Sequence, residues 1–283
     1  MSRLGDRLLK QVQEINFPRS SVRVYFGSVD KRNASSILDN FRSEYIPGQS
    51  WAVVSKDQFG FELAFFDMDG TLISSESSVE LAARFLTKEL RDEVEAITAK
   101  SMAGEISFAD NIAKKTKYFQ GTTKQQLDLV TSECRFHEGA EDFVDYLHSR
   151  GVRSFLVTGG LKTMAAPYAK RLHMSGFCAN TEEWQYHQSQ GGKWVMTGEL
   201  KPPIITSMAK ADYLKAQCHK YQIAIEKTLM IGDGANDQDM AMAAGLAVGF
   251  KPKSCLIPYL HVVNETGHHG FMSDLIDHIN DEA

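Results

Sequence analysis

The sequence predicts an α/β fold: a Rossmann-like parallel sheet sandwiched by helices, with a small helical cap domain inserted after the first motif strand. Three apolar runs carry that expectation. Leu63-Ala-Phe-Phe66 runs into Asp67-Met-Asp-Gly-Thr71, Phe155-Leu-Val157 into Thr158-Gly-Gly160, and Thr228-Leu-Met-Ile231 into Gly232-Asp-Gly-Ala-Asn-Asp237. Short continuous apolar runs bounded by glycines read as strands buried on both faces, the habit of a parallel sheet. Helical stretches at Glu141–Arg150, Leu161–Leu172 and Lys210–Tyr221 lie between or beside them, as βαβ crossovers require. In all three cases small or acidic residues follow the C-terminal end of the strand, the edge where open α/β sheets bind ligands.

Taken in order, residues 1–59 form an N-terminal segment of mixed α/β character whose role the sequence does not show. It reads as a helix at Gly5–Ile15, a strand at Val22–Phe26, a helix at Asn33–Tyr45 and a strand at Trp51–Val54. Residues 60–76 and 134–283 are expected to form the core. Residues 77–133 read as a helical cap, with helices at Val79–Phe85, Lys88–Lys100 and Phe108–Tyr118 punctuated by Gly104 and Gly121. A helical insertion of that length beside the crevice looks like a lid.

Composition narrows the class of ligand. Of 283 residues, 31 are Lys or Arg and 36 are Asp or Glu, a formal net charge of −5. That argues against a dedicated nucleic-acid binder, which needs a basic excess for phosphate contacts. No apolar run approaches the roughly 20 residues that span a bilayer, and the N-terminus is charged throughout. Cys134, Cys178, Cys218 and Cys255 are widely spaced, in no disulfide or zinc pattern. The expectation is a soluble cytoplasmic protein with reduced thiols. His268-His269 reads as a solvated pair, and the oligomeric state is not legible.

Asp67 and Asp69 sit one residue apart at a strand exit. A carboxylate can attack phosphorus and split one hard displacement into two easier ones. A second carboxyl can protonate the leaving alcohol and later take a proton from water. Asp233 and Asp237 bring more negative charge from the third strand end, and hard oxygen ligands select Mg²⁺. Thr158 with the amides of Gly159 and Gly160 suits phosphate oxygens, and Lys210 offers a positive charge near a helix start.

The series DMDGT, VTGG, a lone lysine and GDGAND resembles the four motifs of the haloacid dehalogenase-like phosphatases, over about residues 60–275. Within that superfamily the similarity is closest to the phosphoserine phosphatases, through GDGANDQDMAMAAGLAVGFKPK, the cap segment at 102–108, and Thr197-Gly-Glu199. The resemblance implies that Asp67 is the nucleophile and Asp69 the general acid/base. It implies that Thr158, Gly160 and Lys210 bind phosphate. Asp67, Asp233 and the Asp69 backbone carbonyl would hold Mg²⁺, supported by Asn236 and Asp237.

At the substrate end it implies that Glu76 receives an ammonium and that Phe108 matches a family aromatic. Lys115 stands where the family usually has an arginine for the substrate carboxylate. A lysine offers charge without the planar fork. The implied ligand is a small phosphorylated metabolite, with phosphoserine leading. An amine-bearing phosphomonoester without the carboxylate, such as phosphoethanolamine or phosphocholine, competes, as does transfer of the phosphoryl group to an acceptor other than water. Two readings outside this class are a receiver-like phosphoacceptor module, which has no need of Asp69 and is far shorter, and an interaction protein built on residues 1–60.

Overall fold

The computed structural model describes residues 12–17, 20–26, 38–39, 42–43, 47–54, 60–102, 105–188 and 192–281. Its centre is the parallel sheet expected from the apolar runs. Strand β4 (Leu63–Phe66) lies between β5 (Arg153–Leu161) and β8 (Thr228–Gly232), parallel to both. Phe66 pairs with Leu156 on one side and Ile231 on the other, so the three polar strand exits end at the same level of the sheet. Strand β6 (Gly176–His187) joins beside β5, β9 (Leu246–Phe250) beside β8, and β10 (Val262–Asn264) beside β9. All four residues of β4 are buried, which explains why its sequence shows no polar alternation.

Helices cover both faces. One layer packs Phe143, Val144 and Leu147 of α5 (Ala140–Ser149), Ala165 and Tyr168 of α6 (Lys162–Arg171), and Leu275 of α9 (Gly270–Asp281) onto Phe66, Leu156 and Ile231. The other packs Leu214 of α7 (Ser207–Tyr221) and Met240 of α8 (Gln238–Ala243) onto Phe65, Phe155 and Met230. Phe65 and Phe155 stack at 5.1 Å. Each Val, Leu, Ile, Phe or Met side chain among them withdrawn from water contributes about 1.5–3 kcal/mol before its entropy cost.

Helices α1 (Ser77–Phe85), α2 (Lys88–Met102), α3 (Phe108–Tyr118) and α4 (Lys124–Glu133) occupy the insertion. Ser107 caps α3 by accepting from the Asp110 amide, and Thr123 with Gln126 forms a capping box on α4. Leu81, Val94, Phe119, Leu127 and Val130 cluster with Leu161 and Met164 at the start of α6. A hairpin of β6 and β7 (Lys193–Lys201), not anticipated from the sequence, reaches the same helices: the Gly121 amide donates to the Met196 carbonyl and the Met196 amide to that of Thr122, both at 2.9 Å. The insertion is thus fastened along one side.

Two expectations need correction. Val12–Ile15, expected to close a helix begun at Gly5, belongs to strand β1 (Val12–Phe17), which pairs with β2 (Ser20–Phe26). Val12 and Ile15 keep a helical spacing of three, and it is the antiparallel pairing with β2 that makes this segment a strand. The rest of that expected helix lies outside the described residues. So does most of Asn33–Tyr45, of which Leu38–Asp39 and Arg42–Ser43 are helical. Strand β3 (Trp51–Val54) pairs with β2 and, antiparallel, with β10. The sheet therefore continues into the N-terminal segment and counts ten strands among the described residues, in the order β1-β2-β3-β10-β9-β8-β4-β5-β6-β7. Second, His269 is not solvated. It is fully buried, stacked 4.2 Å from Phe250, and its Nε2 lies 2.8 Å from the Thr71 carbonyl. No helix among the described residues is long and apolar enough to cross a membrane.

Candidate active site

The exits of β4, β5 and β8 meet α1–α3 around a cavity of about 350 Å³. Asp67 follows directly on β4, held by its amide donating to the Ile231 carbonyl at 2.9 Å. Its carboxylate is buried, and Oδ1 takes a hydrogen bond from Lys210 Nζ at 2.5 Å. Thr206 caps α7, placing Lys210 in the first turn. An ammonium there opposes the positive end of the helix dipole, so its burial depends on its partners. Those are Asp67 and Asp237, whose Oδ1 it meets at 2.8 Å.

Asp237 is committed on both oxygens. Oδ2 accepts from the amides of Asp233 and Gly234 at 3.2 Å each. Asp233 keeps one oxygen open and offers the other to Lys253 Nζ at 3.0 Å. Asp67, Asp233 and Asp237 place carboxylate oxygens within 4.8 Å of one another. Burial first, then repulsion from Asp237, pushes the Asp67 carboxyl well above the usual range and Asp233 to about 6, with lysines opposing.

Asp69 points elsewhere. Its Oδ1 accepts the Ser77 amide at 2.7 Å, at the start of α1. Burial raises its carboxyl to about 7, with Glu76 adding and the Ser77 hydrogen bond opposing. Burial raises both aspartates, which sit one residue apart, but their partners differ: an ammonium for Asp67 and a backbone amide for Asp69. The turn between them needs Gly70, whose φ is +74° and whose missing Cβ would lie 2.7 Å from Asp233 Oδ2.

Strand β5 continues through Gly159 and Gly160 to Leu161, with an irregular register after Val157, so the glycines end a strand rather than begin a helix. Both line the cavity. Thr158 is buried behind them, its hydroxyl accepting from the Gly160 amide at 2.8 Å. The side chain of Asn180 donates to the Gly159 carbonyl at 2.7 Å and fixes that peptide. Phe108 of α3 lies directly over Gly159, where an added Cβ would run into its ring.

Glu76, Phe108, Lys115 and Asn236 also line the cavity. Lys115 is buried, and desolvation lowers its pKa while Glu76 and Asp69 counter that. Of the predicted site residues, only Thr158, Lys210 and Asp237 lie behind the wall rather than in it. Sequence reasoning missed Lys253, which also reaches Glu76 at 3.9 Å. Its run, Gly249-Phe-Lys-Pro-Lys253, was legible, but no spacing rule points it back toward β8. It also missed Asn111, which lies at helical spacing between Phe108 and Lys115.

Residues 64–242 match the family model of the haloacid dehalogenase-like hydrolases. The chain is similar to phosphoserine phosphatase SerB2 of Mycobacterium tuberculosis, 31% identical over 194 residues, covering 69% of this chain and 45% of that one. The chain therefore spans less than half the length of that relative. It is also similar to the phosphoserine phosphatase of Halobacterium salinarum, 34% identical over 191 residues, covering 68% of this chain and 86% of that one. Among solved structures it resembles a HAD family hydrolase from Salmonella enterica serovar Typhi, with a TM-score of 0.69, 24% identity, and coverage of 76% of this chain and 70% of the other. A substrate-bound phosphoserine phosphatase gives a TM-score of 0.66 at 24% identity, covering 77% and 98%.

Proposed function

Since the chain belongs to the haloacid dehalogenase-like hydrolases, we propose that it is a Mg²⁺-dependent phosphomonoester phosphatase working through an aspartyl phosphate, with phosphoserine as its substrate. One observation carries the reading: the buried Asp67, paired to Lys210, shares a cavity with Asp69, whose carboxyl is held at about 7. The ammonium beside Asp67 favours the carboxylate a nucleophile needs, against the burial that raises it, and the burial of Asp69 favours the protonated form a general acid needs.

In the first step an Asp67 carboxylate oxygen bonds to phosphorus, and the bond from phosphorus to the substrate oxygen breaks. Asp69 gives its proton to the departing alkoxide, which leaves as the alcohol of serine. In the second, Asp69 takes a proton from water as that water attacks phosphorus. The bond from phosphorus to Asp67 breaks, phosphate leaves, and both carboxyls return to their starting states. The Gly159 amide and Lys210 stabilise the phosphoryl oxygens and the Asp67 carboxylate, while the Gly160 amide is held by the Thr158 hydroxyl. The cap excludes bulk water, which would otherwise compete for these contacts.

The residues fit a hard divalent cation. Three carboxylates crowd within 4.8 Å, and burial first, then repulsion from Asp237, raises the pKa of Asp67 and Asp233. Asp237 is saturated by amides and Lys210, so Asp67 and Asp233, with the Asp69 carbonyl, are the groups that would hold the ion, and Asp237 with Asn236 would support them. When bound, Mg²⁺ neutralises part of this charge and that of the phosphate. In the same cavity Glu76 and Lys115 offer one charge of each sign, a match for a zwitterionic amino-acid head.

The test is phosphate release from a panel of small phosphomonoesters, phosphoethanolamine and phosphocholine included, with and without Mg²⁺. Added alcohols would report transfer to acceptors other than water. Phosphoserine is expected to lead the panel and Asp67→Asn to abolish turnover. Full activity in Asp67→Asn, or no phosphate release from any member, would overturn the reading.

A further inference from the structure

Asp69 rides on a turn, Met68 to Ile73, that is closed on itself. The amides of Leu72 and Ile73 donate to the Met68 carbonyl at 2.9 and 3.0 Å, and the Gly70 amide donates to the Ile73 carbonyl at 3.0 Å. Two more carbonyls are held from outside the turn. The Leu72 carbonyl takes the His137 amide at 2.8 Å. The Thr71 carbonyl takes a side chain, the Nε2–H of His269 at 2.8 Å, from 198 residues further along the chain. His269 is itself anchored directly before α9, its amide donating to the Glu138 carbonyl at 2.9 Å. Its buried ring lies 9° from parallel to Phe250 at 4.2 Å and 16° from parallel to Phe143 at 6.3 Å.

A phenyl ring would suit that slot at no polar cost. The imidazole instead leaves Nδ1 enclosed, with no hydrogen bond to it among the described residues. Buried polar atoms are nearly always paired, because an unmade hydrogen bond is costly. What the imidazole adds over a phenyl is the donor on the Thr71 carbonyl, two residues past Asp69.

We propose that His269 is a positioning residue: by holding the Thr71 carbonyl it sets the turn so that the Asp69 carboxyl stands where it protonates the departing alkoxide. This rests on the phosphatase reading above and on the role given there to Asp69. Small misplacements of a reacting group are expensive, about a hundredfold in rate for 1 Å.

The experiment compares kcat/KM for phosphoserine, whose alkoxide needs a proton to leave, with kcat/KM for p-nitrophenyl phosphate, whose phenolate leaves without one. This parameter covers the steps up to loss of the alcohol, so it separates the acid step from the later attack of water. His269→Phe keeps the stack and removes the donor. It is expected to lower the phosphoserine value by about tenfold and the p-nitrophenyl phosphate value by less than about twofold. His269→Gln keeps a donor and removes the stack. It is expected to hold the ratio of the two values within about twofold of wild type, even where its Tm falls further than that of the Phe variant. Both values falling together in His269→Phe, neither moving, or the reverse order of the two variants overturns the proposal and leaves the phosphatase reading intact. Wild-type protein that releases no phosphate from phosphoserine overturns that reading and this proposal with it. Should the Phe variant fail to fold, His269→Leu, smaller and equally without a donor, reads the same ratio.

Discussion

Lys210 and Asp67 meet at 2.5 Å almost wholly out of solvent: 0% of the lysine and 3% of the aspartate side chain is exposed. The same ammonium holds Asp237, so one cation from a helix start serves carboxylates at two strand exits. Lys210→Met would leave two buried carboxylates unpaired. It is expected to cost about 3–5 kcal/mol in urea unfolding and to abolish turnover. Adding Asp237→Asn should recover part of the stability and none of the activity.

Asp69 offers a test by pH. Its folded pKa of about 7 lies above the ordinary carboxyl value near 4, so between those values the folded chain keeps a proton that the unfolded chain has released. Stability from this group is complete below about pH 4 and is lost as pH rises through 7. Asp69→Asn removes the titration. In chelator-treated protein the variant should therefore gain on wild type between pH 4 and 8, by roughly 2–3 kcal/mol after discounting for the solvent that reaches the cavity. Parallel stability curves would refute the placement of Asp69.

Divalent cation should act on folding as well as on turnover. Mg²⁺ at about a hundred times its dissociation constant is expected to stabilise the chain by about 2.7 kcal/mol, seen as a rise in Tm. Asp233→Asn should remove most of that rise and Asn236→Ala less.

Phe108 lies over Gly159, and the contact couples the cap to the strand ends. Gly159→Ala puts a methyl where the ring sits, and kcat/KM is expected to fall by about one to two orders of magnitude as the ring is displaced. Phe108→Ala should also lower it. The double variant should be no worse than the poorer single one, a non-additivity that a double-mutant cycle measures.

His269 titrates in the opposite direction. Burial lowers its pKa to about 4, below the unfolded value near 6.5, so its contribution is complete above pH 6.5 and is lost as pH falls toward 4. His269→Gln can still donate to the Thr71 carbonyl and has no charge to gain. Its stability should decline less than that of wild type over that interval, by up to about 3 kcal/mol in acid-titrated unfolding.

The three strand exits were legible because each couples an unbroken apolar run to a polar cluster, and β8-β4-β5 adjacency brings Asp67, Gly160 and Asp233 to one edge. Asp69's distinct environment was not legible, because it depends on the Ser77 amide at a helix start eight residues on. The strand at Val12–Phe17 was missed because charged residues at 10 and 14 also suit an amphipathic helix, and only pairing with β2 decides. His269 was misread for a related reason. A histidine beside glycine and a second histidine looks solvated, and nothing local announces a slot between Phe250 and Phe143.

The pairing of β3 with β10 bears on how this protein can be dissected. Val53 donates to the His261 carbonyl at 2.9 Å, and the Ser50 hydroxyl accepts from the Glu265 amide, so β10 is an interior strand. A version trimmed to begin near residue 60 would keep every side chain that lines the cavity yet turn β10 into a bare edge, with Val262 and Val263 newly exposed. Bare edges recruit other strands. Such a fragment is expected to self-associate rather than stay monomeric, and light scattering of the trimmed protein would show it.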